Sequence, residues 1–279
     1  MSAQTATWLD GAPTSALPLP DRGLDFGDGL FETLLLCRGA PLYADIHLQR
    51  LQRGLQALAF PECLATAREQ LEVAANAVRD RGWPWAVLRL TVSRGPGPRG
   101  YTPPEFSQPR IIITATELDR DCSQMSGPAS LSLATLRWPL QPALAGLKHL
   151  NRLEQVLAAA ERRDRGTDEA VMLDQQGQLV SVIAGNLFLV QGKRVLTPAL
   201  DTCGIAGTRR QLVLEQWAAR LGLQAQASTL GLQDLASADE VFFSNSLLGL
   251  RPVASFGEHQ WHSHPTCQAL FDLYRDELP

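Results

Sequence analysis

Lysine is nearly absent from this chain. Of its 279 residues only Lys148 and Lys193 are lysines, against 23 arginines. GC-rich coding favours arginine in this way, so each surviving lysine asks for a reason. Long apolar runs are also missing. None approaches the roughly 20 residues that a membrane helix needs, which excludes a spanning helix. There is no CxxC pair. Five scattered cysteines (Cys37, Cys63, Cys122, Cys203 and Cys267) argue against a disulfide framework or a zinc site and fit reduced cytosolic thiols. Positive charge is not in excess: 29 acidic and 25 basic side chains give a net charge of −4, which is no footprint for nucleic acid. The stretch Met1–Asp10 has neither a basic n-region nor an apolar h-region, so nothing in it marks export and a cytoplasmic protein is expected. What is abundant is core-forming material. The hydrophobic fraction is 45% and the charged fraction 19%, in a chain long enough for one large domain or two modest ones.

Strand-like runs at Thr5–Leu9 and Phe31–Cys37 flank the polar, turn-rich segment Asp21–Gly29. Leu48, Leu51, Leu55 and Leu58 step by three, four and three, which predicts a helix over Ile46–Leu58. A second helix is expected over Cys63–Arg79. Strands follow at Trp85–Val92 and Arg110–Thr116, separated by the Gly/Pro/Arg-rich loop Ser93–Pro109. No βαβ rhythm is present, so residues 1–116 read as an α+β domain with a largely antiparallel sheet. Residues 117–127 are polar and aperiodic and read as a linker. A second domain, 128–279, is expected to hold a strand at Ser130–Arg137 and a helix from Lys148 to Arg163. Strands at Glu169–Leu173, Asn186–Val190 and Arg194–Leu196 come next, then a helix over Gly207–Leu221. Strands at Glu240–Ser244 and Pro252–Phe256 and a final helix over Pro265–Leu278 complete it.

Lys193 lies in a polar turn, Gln191-Gly192-Lys193-Arg194, and needs no further reason. Lys148 sits in Leu144-Ala145-Gly146-Leu147-Lys148-His149-Leu150, among mostly apolar neighbours. Two readings of it stand. Burial would lower its pKa and free the amine for Schiff-base chemistry with a carbonyl. Alternatively its ammonium snorkels to water. Asp201–Arg210 brings glycines to a helix start, where exposed N–H groups and the helix dipole suit a phosphate; an ordinary strand-to-helix turn looks the same. Arg50 follows His47 by three residues on one helical face and could fork onto phosphate oxygens, or be a solvated arginine. Arg94, Arg99 and Tyr101, on a stiffened Gly/Pro loop, suit carboxylates or simply water. His259, His262 and His264 lack the ligand pattern of a metal site and read as a polar turn, so no metal is expected.

Taken together, these segments resemble the fold-type IV pyridoxal-phosphate enzymes, a family of branched-chain and D-amino-acid aminotransferases and aminodeoxychorismate lyases. The resemblance covers nearly the whole chain. It runs through Asp21-Arg22-Gly23-Leu24-Asp25-Phe26-Gly27-Asp28-Gly29-Leu30-Phe31-Glu32-Thr33, the HxxRL of His47–Leu51, Asn186-Leu187-Phe188 and Gly204–Arg210. The segment Gly146–Gln155 (GLKHLNRLEQ), with Ser93-Arg94-Gly95 and Arg99-Gly100-Tyr101, is similar to the lyases in particular. The resemblance implies two α/β domains, a homodimer and pyridoxal 5′-phosphate held in the interdomain cleft. Lys148 would carry the cofactor. Arg50, the amides around Thr208 and Arg209, and Ser246 would hold its phosphate. Arg94, Arg99 and Tyr101 would read the carboxylates of a small-molecule substrate, Arg99 foremost.

One position departs from the family pattern. Where the family places a glutamate against the pyridine nitrogen, five residues before Asn186, this chain has Ser181, and no carboxylate lies between Asp174 and Asn186. A strongly electron-withdrawing, protonated pyridine matters more to transamination than to β-elimination. The expectation is therefore a lyase that forms 4-aminobenzoate and pyruvate for folate synthesis. An aminotransferase of the same fold and a catalytically silent homologue are the alternatives.

Overall fold

A computed structural model describes residues 4–279, so Met1–Ala3 of the stretch Met1–Asp10 lie outside it. The chain divides into two compact units. The first comprises Met1–Cys122 with Leu147–Asn151 and Pro279; the second comprises Ser123–Gly146 and Arg152–Leu278.

In the first unit, strands β1 (Thr5–Leu9), β2 (Ala12–Pro13), β3 (Gly29–Cys37), β4 (Ala40–Pro41), β5 (Trp85–Ser93) and β6 (Arg110–Glu117) form one antiparallel sheet in the order β2-β1-β6-β5-β3-β4. Helices α2 (Ala44–Ala57) and α3 (Leu64–Asp80) pack on this sheet. Alternation along β3 sends Leu30, Leu34 and Leu36 into the core, where Leu48, Leu51 and Leu55 of α2 and Ala67, Leu71, Ala74 and Val78 of α3 meet them. Each large aliphatic side chain buried there contributes about 1.5–3 kcal/mol. The same alternation turns Phe31 and Thr33 to the other face of the sheet.

The turn-rich segment before β3 contains a short helix, α1 (Arg22–Phe26), that no periodicity predicts. The Asp21 carboxylate caps it, accepting from the amides of Gly23 and Leu24. Gly27 closes it with φ +65, and a Cβ there would lie 2.2 Å from the Asn151 amide oxygen.

In the second unit, the strands are β7 (Ala129–Leu133), β8 (Glu169–Leu173), β9 (Leu179–Val182), β10 (Asn186–Gln191), β11 (Arg194–Pro198), β12 (Gln224–Ser228), β13 (Glu240–Asn245), β14 (Gly249–Phe256) and β15 (His259–Gln260). They form a nine-stranded mixed sheet, ordered β12-β11-β10-β13-β14-β7-β8-β9, with β15 on β14. Helices α4 (Leu153–Arg165), α5 (Thr208–Leu212), α6 (Ala218–Arg220), α7 (Leu232–Ala236) and α8 (Pro265–Asp276) accompany it. A π-helical turn, Val213–Trp217, joins α5 to α6. Strands β9 and β12 were not anticipated; β9 is only four residues long, Leu-Val-Ser-Val, and β12 is largely polar. Among the described residues, no helix is long and apolar enough to cross a membrane.

The helix expected from Lys148 begins only at Leu153. Residues 147–151 instead run beside the start of β3 in the first unit. The Phe31 amide donates to the Lys148 carbonyl (2.9 Å), the Leu150 amide donates to the Gly29 carbonyl (3.0 Å), and Leu30 bridges His149 in antiparallel fashion. Cross-strand bonds claim backbone groups that a helix would have used.

Candidate active site

Lys148 is half-buried, and its Nζ lies 4.2 Å from the centroid of the Phe31 ring. The Arg89 guanidinium carbon is 3.9 Å from the same centroid. Although Arg89 as a residue is exposed, burial of its charged end lowers its pKa. Two cationic side chains thus share one aromatic ring. Lys193 is exposed in the turn between β10 and β11.

On the core side of β3, Glu32 is 1% exposed and receives three hydrogen bonds. His47 Nδ1 lies at 2.6 Å, Arg50 Nε at 2.8 Å and Arg50 Nη2 at 2.5 Å. Burial alone would raise the Glu32 pKa, but the Arg50 charge and the bonds from Arg50 and His47 outweigh it and bring it down to about 2. Arg50 is therefore a buried, oriented cation and not a solvated one.

Loop Ser93–Tyr101 is braced from beneath. Ser93 Oγ donates to Asp21, and Arg22 donates to Asp28 and to the carbonyls of Gly100 and Tyr101. This explains the Asp21–Gly29 signature: its charged residues hold the loop. Arg99 and Tyr101 stand out on it, Tyr101 with 86% of its surface exposed. Arg94 differs, and its expected substrate role is corrected here. It is 4% exposed, donates to Asp28 and to the Leu58 and Ala59 carbonyls, and stacks 4.0 Å from the Phe60 centroid. A guanidinium engaged on that many internal partners anchors the loop.

In the second unit the helix start at Thr208 packs against β13. Asn186, on β10, donates from Nδ2 to the Ile205 carbonyl, and a Cβ on Gly207 would lie 2.0 Å from its Oδ1. Thr208 is 3% exposed and Arg209 1%; Arg209 reaches the Thr208 hydroxyl and the Ser246 carbonyl. Ser244, paired with Asn186 across the sheet, buries an Oγ that has no hydrogen-bond partner among the described residues. Ser246 is half-buried. Gly207→Ala should therefore cost about 1–3 kcal/mol through overpacking, readable as a lower thermal midpoint.

Ser181 sits on β9, 5% exposed, and its Oγ accepts from Trp138 Nε1 at 3.3 Å. His259 and His262 are exposed, and no group of three metal-binding side chains occurs among the described residues. Sequence reasoning missed Glu32, Arg89 and Trp138. For Glu32 a signal existed: it alternates with the core leucines of a strand, where a lone carboxylate needs a cation. Arg89 and Trp138 carry no such signal.

A family model for amino-transferase class IV matches residues 29–256, and the chain belongs to that family, whose fold is fold type IV. It is 35% identical over 249 residues to aminodeoxychorismate lyase of Vibrio harveyi, covering 88% of this chain and 90% of that one. The crystal structure of 4-amino-4-deoxychorismate lyase from Pseudomonas aeruginosa superimposes with a TM-score of 0.89 at 40% identity, covering 98% and 99% of the two chains. A hypothetical aminotransferase from Mycobacterium tuberculosis, solved with PLP bound, shares the fold at 19% identity (TM-score 0.83, covering 97% of each chain). The family is PLP-dependent.

The residues present fit that cofactor. In the second unit the close approach at Gly207 leaves no room for a side chain at a helix start, where a helix presents its first N–H groups, and the buried Ser244 hydroxyl lacks a partner among the described residues.

Proposed function

We propose that this chain is a PLP-dependent lyase that converts 4-amino-4-deoxychorismate into 4-aminobenzoate and pyruvate, a step of folate synthesis. The observation that carries this is the segment Gly146–Gln155. It holds Lys148 against Phe31 and is similar to the lyases, and the lyase relatives at 35% and 40% identity support it.

Lys148 would hold the cofactor covalently and, once released by the substrate amine, would take the proton from the carbon bearing that nitrogen. Arg50, the amides of Thr208 and Arg209, and Ser246 would hold the phosphate, and Ser181 would face the ring nitrogen. The cofactor supplies an electron sink. The ether bond to the enolpyruvyl group would break, enolpyruvate would leave with the bonding electrons and take up a proton at its methylene carbon to become pyruvate, and the ring would become aromatic. Arg99 and Tyr101 are assigned to the substrate carboxylates, joined by Arg89 beside Lys148. Incubation with 4-amino-4-deoxychorismate should release 4-aminobenzoate and pyruvate in equal amounts. Amino-group transfer to a 2-oxo acid at a comparable rate would sink the proposal.

Arg99→Ala should lower kcat/KM by about 10–100-fold, the worth of a charge-assisted hydrogen bond, while borohydride still fixes the cofactor to the protein. Arg94→Ala should instead lower the thermal midpoint. Loss of cofactor fixation in Arg99→Ala would move that loop to the cofactor site.

A homodimer and a cytoplasmic location belong to the same reading. For the dimer, α4 carries Leu153, Val156 and Leu157 at helical spacing, exposed at 74%, 60% and 57%. The five cysteines, all free and buried, go with a reducing compartment. Leu157→Arg should halve the mass read by light scattering; an unchanged mass would take α4 out of the interface.

A further inference from the structure

The hydroxyl of Ser181 has one proton and two lone pairs. An indole nitrogen can only donate, so the bond from Trp138 Nε1 at 3.3 Å fixes Ser181 Oγ as its acceptor. No described residue accepts the Ser181 proton in return. Ser181 is 5% exposed and Trp138 6%, so the pair is buried. A buried donor left without an acceptor is costly, which points to a ligand that completes it.

The two carboxylates at the ends of β8, the strand paired with that of Ser181, accept from backbone amides. Asp174 Oδ1 accepts from the Gln176 and Gln178 amides at 2.9 and 2.8 Å. Glu169 accepts from the Ala170 and Ala184 amides at 3.1 and 3.3 Å. Arg152 adds positive charge, its guanidinium carbon 5.6 Å from the Trp138 ring centroid. Indole donor, serine proton and guanidinium all favour electron-rich, unprotonated partners.

We infer that Trp138 is a positioning residue that turns Ser181 into a hydrogen-bond donor, so that this site selects an aromatic nitrogen acceptor over a protonated ring. The inference rests on the proposed function, in which the nitrogen is that of the cofactor pyridine. A carboxylate in place of Ser181 would act the other way: it only accepts, and so requires a ring N–H. Trp138 thereby becomes a determinant of the cofactor's protonation state without touching the substrate.

The test is nitrogen NMR on the full-length protein reconstituted with pyridoxal phosphate labelled with 15N in the ring. The wild type should give the signal of an unprotonated pyridine, and Ser181→Glu should move it to that of a pyridinium. Trp138→Phe should weaken cofactor affinity about fivefold to tenfold, the worth of a buried hydrogen bond, and shift the nitrogen signal. A pyridinium signal in the wild type overturns the inference. So does a Trp138→Phe protein with unchanged affinity and signal. Should that variant fail to fold, wild type and Ser181→Ala are compared for binding of the cofactor and of its 1-deaza analogue, which has C–H in place of the nitrogen. About a tenfold preference for the cofactor, lost in Ser181→Ala, supports the inference; equal binding by the wild type overturns it. Borohydride fixation separates the two levels. With Lys148 labelled and the ring protonated, only this inference falls; with Lys148 unlabelled, the proposed function falls with it.

Discussion

Lys148→Ala should lose about 10³–10⁴-fold in kcat, at the upper end of what a positioned acid–base group contributes. It should also lose covalent attachment of the cofactor altogether. The fold should survive. The backbone of this position pairs with β3, its carbonyl accepting from the Phe31 amide, and that pairing does not depend on the side chain. Borohydride reduction and peptide mapping should place the label on Lys148 in the wild type and nowhere in the variant, with an unchanged circular dichroism spectrum. Lys193→Ala, in an exposed turn, should match the wild type. With two lysines in the chain the result is unambiguous. A label on Lys193, or a Lys148→Ala protein that retains activity, removes the assignment.

Lys148 was legible because its rarity and apolar neighbours were visible one residue at a time. Its backbone was not, since only pairing with β3 makes the segment extended. In the first unit α2 followed from its leucine steps, a local signal, whereas short α1 carries no such period. Short β9 and polar β12 take their conformation from neighbours in the sheet, which no local pattern encodes. Loop Ser93–Tyr101 shows a further limit. Arg94 and Arg99 are alike as letters, and only the distant acceptors Asp28, Leu58 and Ala59 separate an anchor from an exposed cation. Trp138 and Ser181, 43 positions apart, pair for the same reason.

Glu32 is where stability and site meet. Its carboxylate is the listening post for two cationic or polar partners, His47 and Arg50, all three at or below 5% exposure. Glu32→Ala leaves the Arg50 charge buried without its carboxylate, which costs about 3–5 kcal/mol. Glu32→Gln keeps the shape and one acceptor, and should cost less. The folded pKa of about 2 lies below the ordinary 4.5. The unfolded chain therefore binds the proton first as pH falls, and the stabilisation, about 3 kcal/mol for a shift of this size, is complete above pH 4.5. It is lost between there and about pH 2. Urea unfolding at stepped pH should show the wild type falling steeply through that window. Glu32→Gln should fall less, by the contribution of this one carboxylate, because other acidic groups titrate alike in both proteins. Cofactor affinity should drop in Glu32→Ala at neutral pH as well, since Arg50 loses the carboxylate that orients it. Parallel pH profiles for the wild type and Glu32→Gln would mean that the Glu32–Arg50 pair contributes nothing net to folding, its desolvation cancelling its attraction.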